Sequence, residues 1–217
     1  MTKKTYYVTT PIYYVNDRPH IGHAYTTLAA DVMARFKRLD GYDVHFLTGT
    51  DEHGQKIQRS AEAKGVSPQA FTDEVSAVFR ELATDFNFSH NDFIRTTEDR
   101  HKRACAQMWK LLSDAGHIYL DKYSGWYAVS DEAFYDEGEL IEGPDGNRIA
   151  PTGKSVEWVE EESYFFRLSA FEKPLLELYE KQPDFILPKG RRNEVISFVK
   201  GGLQDLSISR TSFDWGV

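Results

Sequence analysis

His20 and His23, three residues apart with Gly22 between them, are the side chains whose types and spacing point most directly to chemistry. On one helical turn both imidazoles can face the same ligand and donate hydrogen bonds to phosphate oxygens as those gain charge around a pentavalent phosphorus. Gly22 has no side chain to obstruct the approach. A bare His-x-Gly-His also arises where two histidines happen to flank a glycine at a helix start, so the neighbours decide its meaning. A second polar cluster runs from Gly49 through Asp51, Glu52 and His53 to Gly54. Asp51 suits pairing with a substrate ammonium, with Ile12, Tyr13 and Tyr14 as an apolar wall. The competing reading is that Asp51 and Glu52 cap the helix that follows.

These groups need elements to hold them. Residues 6–10 read as a strand, and Tyr25, Leu28, Val32, Phe36 and Leu39 recur at three or four residues, marking one apolar face of a helix that begins near Gly22. Gly41 suits the end of that helix, and residues 43–48 read as a second strand. Strand, helix and strand in so short a stretch predict a βαβ unit with a parallel pair and a right-handed crossover. Both polar clusters then lie at one edge of the sheet, where open α/β folds bind ligands. The helix start, with unpaired amides and a partial positive charge, favours an anion.

Farther on, Ser67 and Pro68 predict a helix start, with Phe71, Val75, Val78, Phe79 and Leu82 buried. Residues 93–95 form a short strand, and Thr97 introduces a helix with Ala104, Met108, Leu111 and Ala115 inward and Gly116 at its end. Cys105 reads as a small buried hydrophobe; His90, His101 and His117 lack ligand-like spacing. From Ile118 the character changes to a small inserted α+β module. Its expected parts are short strands at 118–123, 125–128, 155–159 and 164–168, a turn at 144–147, a helix capped by Ser169 with Glu172 three residues on, and a helix over 192–200.

A length of 217 residues with 41% hydrophobic and 28% charged residues fits one large or two small globular domains. The formal charge of -8 argues against holding nucleic acid, DNA included, by broad phosphate neutralisation, though it leaves room for a local patch such as Lys189, Arg191 and Arg192. Cys105 is the one cysteine, so no intramolecular disulfide can form and a reducing cytoplasm is the expected compartment. The first eight residues do not have the apolar core of a signal peptide, and no run of about 18 apolar residues would span a membrane.

Thr9 to Asn16, Pro19-His20-Ile21-Gly22-His23 and Phe46 to Gly54 stand in register, and Asp92 to Thr97, Tyr164 to Leu168 and Asp205 to Arg210 extend the pattern. With these motifs the sequence resembles the methionyl-tRNA synthetase family, within the class I aminoacyl-tRNA synthetases, over essentially its whole length. The His-Ile-Gly-His element alone would indicate only the wider superfamily of class I synthetases and nucleotidyltransferases. The resemblance implies an α/β fold: the first half of a Rossmann-type nucleotide-binding domain over 1–116, a connective insertion over 117–203, and the start of a return to the catalytic domain over 204–217. It implies activation of methionine by ATP, with Mg2+, to methionyl-adenylate and pyrophosphate, then transfer to tRNA(Met).

By the same resemblance His20 and His23 stabilise the ATP phosphates, and Asn16 and Gly22 help seat ATP. Ile12, through its backbone, and Asp51 hold the methionine amino group, while Tyr14 lies against the thioether. Tyr13 and Arg210 support the active site; a solvated arginine at a domain junction is the other reading of Arg210.

Two departures bear on these expectations. Many members bind zinc in the insertion through cysteines, but Ala128 and Asp131 stand at the matching positions and no cysteine or histidine follows His117. A zinc-free knuckle is therefore expected, packed by Trp126, Tyr127, Phe134, Tyr135 and Trp158. The sequence also ends at Val217, before the family's second half and its Lys-Met-Ser-Lys-Ser loop, so it reads as an N-terminal fragment that alone is inactive. A non-catalytic module that binds methionine or ATP weakly is the alternative from another class. A small nucleotidyltransferase is a third, opposed by the insertion and by the Asp51 motif.

Overall fold

The computed structural model of the protein describes residues 3–131, 133–143, 146–211 and 213–217. Two compact units divide them, Met1–Ala106 with Phe213–Val217, and Gln107–Ser212.

In the first unit β1 (Thr5–Thr9), β2 (Tyr13–Tyr14), α1 (Ile21–Leu39), β3 (Asp43–Asp51), α2 (Gln55–Lys64), α3 (Pro68–Asp85), β4 (Asp92–Arg95) and the first part of α4 (Asp99–Asp114) follow in order. The parallel pair expected of the βαβ unit forms: β1 runs parallel to β3, Thr5 opposite Asp43 through Thr9 opposite Leu47. β2 continues along the end of β3, Tyr13 opposite Thr50 and Tyr14 opposite Asp51, and β4 is also parallel to β3. Gly49 lets β4 come close, since a Cβ there would stand 2.0 Å from the Ile94 carbonyl oxygen. Because β3 reaches Asp51, the polar cluster expected beyond the strand is partly inside it.

Local chemistry sets two helix ends, and at one, Ser67, it acts as read. Ser67 Oγ accepts from the Ala70 amide at the start of α3, and Gly65, at φ 69°, ends α2 in the left-handed conformation that glycine adopts without strain. Phe71, Val75 and Phe79 of α3 join Tyr13, Val15, Ile57, Ala61 and Phe93 in one core cluster. A second unites Ala34, Val44 and Phe46.

The apolar stripe of α1 does not form the buried face. Tyr25, Val32, Phe36 and Leu39 are exposed, and the helix buries Thr27, Asp31 and Ala34 instead. Small and polar residues let α1 lie close to its neighbours, and Asp31 ties it down: its carboxylate accepts from the Ser89 amide at 2.6 Å, the Ser89 hydroxyl at 2.7 Å and Arg35 Nε at 2.7 Å. The face expected inward on α4 is likewise open, with Ala104, Met108, Leu111 and Ala115 exposed. Cys105 is half-buried and lies 3.3 Å from His101 Nε2, so it is not the plain core residue expected.

The second unit contains β5 (Ile118–Ala128), β6 (Ala133–Tyr135), β7 (Ile141–Glu142), β8 (Arg148–Ile149), β9 (Glu157–Phe166), α5 (Glu172–Lys181), α6 (Lys189–Lys200) and β10 (Leu206–Ser207). The four short strands expected at its ends are two long ones. β5 and β9 form a continuous antiparallel ladder from Ile118 opposite Phe166 to Tyr127 opposite Glu157, and neither Ser124 nor Gly125 interrupts it. Pro144 and Asp145 of the expected turn lie outside the described residues. Ser169 and Glu172 do not make the expected capping box: Asp205 takes the Ser169 amide and hydroxyl, and Glu172 accepts from the Leu203 amide. Contacts over 30 residues away thus override the local motif. β10, within the stretch read as the return to the catalytic domain, pairs with β9.

Candidate functional site

The start of α1 is organised by its two histidines. Gly22 donates its amide to His20 Nδ1 at 3.1 Å, and His20 donates its amide to His23 Nδ1 at 3.0 Å, so the side chains cap the helix reciprocally. A backbone N–H can only donate, which makes both Nδ1 atoms acceptors; each neutral ring then carries its proton on Nε2 and can donate from there. The ring centroids are 3.9 Å apart. A Cβ at Gly22 would stand 2.9 Å from His20 Cε1 and push that ring out of its present position.

Tyr13 connects this turn to the sheet. Its ring meets His23 edge-on at 4.8 Å and stacks on Phe79 at 5.7 Å, and its hydroxyl is 2.6 Å from Thr27 Oγ1. It is buried, so it supports His23 from beneath instead of forming the open wall expected of it. The wall falls to its neighbours. Tyr14 stands beside Asp51 in the β2–β3 register, and Ile12 is 38% exposed just before β2. The Asp51 carbonyl accepts from the Val15 amide at 3.3 Å. Asn16 is exposed where the chain leaves β2, at the rim of an open hollow of about 420 Å³ whose other walls include Ser60, Lys64, Phe71 and Glu74. That hollow includes neither histidine nor Asp51.

Neither acid of the 51–52 pair stands at the N-cap position of α2. Its N-cap is Gly54, with no side-chain hydrogen bond. Glu52 is fully buried and bound by Arg95 in a bidentate pair, Nε at 2.7 Å and Nη2 at 2.9 Å, with Thr50 and Thr97 hydroxyls at 2.6 and 2.5 Å. No role was expected of Arg95, and of Glu52 only a helix-capping one. The signal available there was a charged residue ending a short strand, which says nothing of its partner across the sheet. Trp215 was also missed: its indole N–H donates to the Glu52 carbonyl, its carbonyl accepts from Gly54, and its ring lies 5.3 Å from that of His53.

Arg210 belongs to the second unit, where it donates to Ser207 Oγ at 2.8 Å and to the Ser209 carbonyl at 2.7 Å and lies over Phe134. Around Ala128 and Asp131, Trp126 meets Trp158 edge-on at 5.4 Å and Tyr127 lies 4.7 Å from Phe134. Asp131 accepts from the Tyr135 and Thr152 hydroxyls. Among the described residues no three His, Cys, Asp or Glu side chains cluster to hold a metal, and no helix is long and apolar enough to cross a membrane.

Burial, and then the charge of nearby His20, hold His23 below the ordinary 6.5. The folded state therefore favours the neutral ring. As pH falls below about 6.5 the unfolded chain takes up the proton first, so this contribution to stability is present above that pH and declines toward acid. Protonation also places a proton on Nδ1 facing the His20 N–H and opens the cap. His53 and His90 are held below 6.5 by burial as well, so urea unfolding is expected to show an acid decline between pH 7 and pH 5, an interval of about two units, that His23→Gln reduces without abolishing; an identical decline in that variant would contradict the assignment.

The family profile described as tRNA synthetases class I (M) matches residues 6–217. The methionine–tRNA ligase of Rickettsia bellii is 62% identical over 213 residues, covering 98% of this chain and 41% of that protein. That of Mesorhizobium japonicum is 59% identical over 217 residues, covering 100% and 42%. Among solved structures, Mycobacterium tuberculosis methionyl-tRNA synthetase in complex with methionyl-adenylate superposes with a TM-score of 0.90 at 57% identity, covering 99% of this chain and 42% of that one. The apo form of the enzyme from that organism gives 0.77 at 52% identity, covering 99% and 41%. The chain thus spans about two fifths of the length of these relatives.

Proposed function

The chain belongs to the methionyl-tRNA synthetase family of class I, and on that premise we propose that in the whole protein it supplies one side of the site that converts methionine and ATP to methionyl-adenylate and pyrophosphate, before transfer of methionine to tRNA(Met). The observation that carries the reading is the juxtaposition in one unit of a doubly capped histidine turn and the Tyr14–Asp51 pair at the end of β3.

In this account a methionine carboxylate oxygen attacks the α-phosphorus of ATP and pyrophosphate leaves. His20 and His23 donate from Nε2 to phosphate oxygens whose charge grows in the transition state, and the preset rings need no reorganisation at that moment. Asn16 and Gly22 line the approach of ATP. Asp51 and the Ile12 carbonyl receive the methionine ammonium, and Tyr14 contacts the thioether, where polarizable sulfur and an aromatic ring attract. An apolar pocket separates side chains differing by one methylene by only about 1–3 kcal/mol, so the ammonium contacts fix position more than identity. Tyr13 and Arg210 are support residues.

Mg2+ would enter with ATP and offset the charge of its phosphates. Residues 117–203 are read as the connective insertion, held by aromatic packing in place of zinc, between a first half-domain at 1–116 and a return at 204–217. A cytoplasmic setting is the corresponding reading of the single Cys105.

The test is Asp51→Asn in a full-length ligase carrying this chain. Losing a charge-assisted contact is expected to raise the methionine KM in pyrophosphate exchange about 10- to 100-fold, with a much smaller change for ATP. An unchanged methionine KM would overturn the ammonium assignment.

A further inference from the structure

We infer that Arg95 is a positioning residue for Asp51, acting through the buried side chain of Glu52 and the backbone between them. The inference rests on the reading of Asp51 as the ammonium partner.

The peptide groups on both sides of Asp51 are tied. The Thr50 carbonyl accepts from the Thr96 amide at 3.2 Å, and the Asp51 carbonyl from the Val15 amide. The Glu52 amide donates to Thr96 Oγ1 at 2.8 Å, and the Glu52 carbonyl accepts from the Trp215 indole. Beneath them the Glu52 carboxylate has no exposure, so it cannot meet a substrate, and both its oxygens are taken by the Arg95 fork and two threonine hydroxyls. Arg95 in turn donates to Asp73 on α3 at 2.6 Å, which joins the end of β4 to that helix.

A buried ion pair of this kind adds little stability over an apolar pair of the same volume. What it adds is direction: a bidentate guanidinium fixes the plane of the Glu52 carboxylate, and with it the backbone from which Asp51 projects. A displacement of about 1 Å in such a group is enough to weaken a contact tenfold or more. Lysine would keep the charge without the fork.

The experiment measures pyrophosphate exchange in a full-length ligase carrying this chain, with Arg95→Lys, Asp51→Asn and the double variant. Arg95→Lys is expected to raise the methionine KM by roughly tenfold, well beyond its effect on the ATP KM or on kcat. In the Asp51→Asn background the same change is expected to add less than about twofold, since the group it positions is already disabled. A merely structural role would scale the active fraction and leave both KM values alone. Arg95→Met combined with Glu52→Leu, which replaces the pair by apolar side chains, serves if the lysine variant does not fold, with the same expected rise in methionine KM. The inference is overturned if Asp51→Asn raises the methionine KM while Arg95→Lys does not, or if Arg95→Lys raises it equally in both backgrounds. If Asp51→Asn itself has no effect, the ammonium reading fails and this inference fails with it.

Discussion

Replacing His20 by asparagine is expected to leave α1 capped and to slow adenylate formation by about 10²- to 10³-fold. Asparagine is a preferred N-cap whose side-chain oxygen can take the Gly22 amide that His20 Nδ1 now accepts. What it cannot reproduce is an Nε2–H donor at the far side of an imidazole ring. Because that donor is assigned to charge that develops in the transition state, the loss is expected in kcat, with the methionine KM changed little. Single-turnover formation of methionyl-adenylate measures it. A variant as fast as the parent would remove His20 from the chemistry and leave it a helix cap.

The largest expected effect on stability is at Arg95. Arg95→Met leaves the Glu52 carboxylate in a site with no exposure and no cation, and breaking a buried pair from one side costs about 3–5 kcal/mol. Glu52 would retain the Thr50 and Thr97 hydroxyls, which do not replace a charge. Adding Glu52→Leu is expected to recover part of the loss by removing the orphaned carboxylate. Urea unfolding of the three proteins decides this. A single variant within about 1 kcal/mol of the parent, as for an exposed pair, would show that Arg95 does not neutralise Glu52.

What could be read in the sequence was mostly whatever depends on neighbours within a turn or two. Ser67 capping α3 is local, a hydrogen bond across three residues; the parallel pair around α1, with Thr5 opposite Asp43, is not, and followed instead from the strand–helix–strand order. The histidine turn was legible because it too is local, although its reciprocal caps were not anticipated. The motifs failed where a distant residue offered a better bond. Asp205 takes Ser169, 36 residues earlier, out of its expected box, and Arg95 takes Glu52 away from any capping role across 43 residues.

The apolar stripe of α1 shows a different limit. Periodicity identified the helix but not the face it buries, because Ala30, Ala34 and Thr27 permit a closer approach than Val32 or Phe36 could. Tyr13 was placed on the wall with Tyr14, and strand alternation separates them: successive side chains point to opposite faces, so one is buried under His23 while the other stands by Asp51.

The central claim is that the first turn of α1 receives the phosphate of the adenylate while Asp51 receives its ammonium. A crystal structure of a full-length ligase carrying this chain, bound to a non-hydrolysable sulfamoyl analogue of methionyl-adenylate, tests both halves at once. The account predicts the Asp51 carboxylate within about 2.7–3.2 Å of the ammonium nitrogen, and at least one of the His20 and His23 Nε2 atoms within the same range of the sulfamoyl oxygens. An ammonium bound away from Asp51, or a sulfamoyl group that neither imidazole reaches, would contradict it.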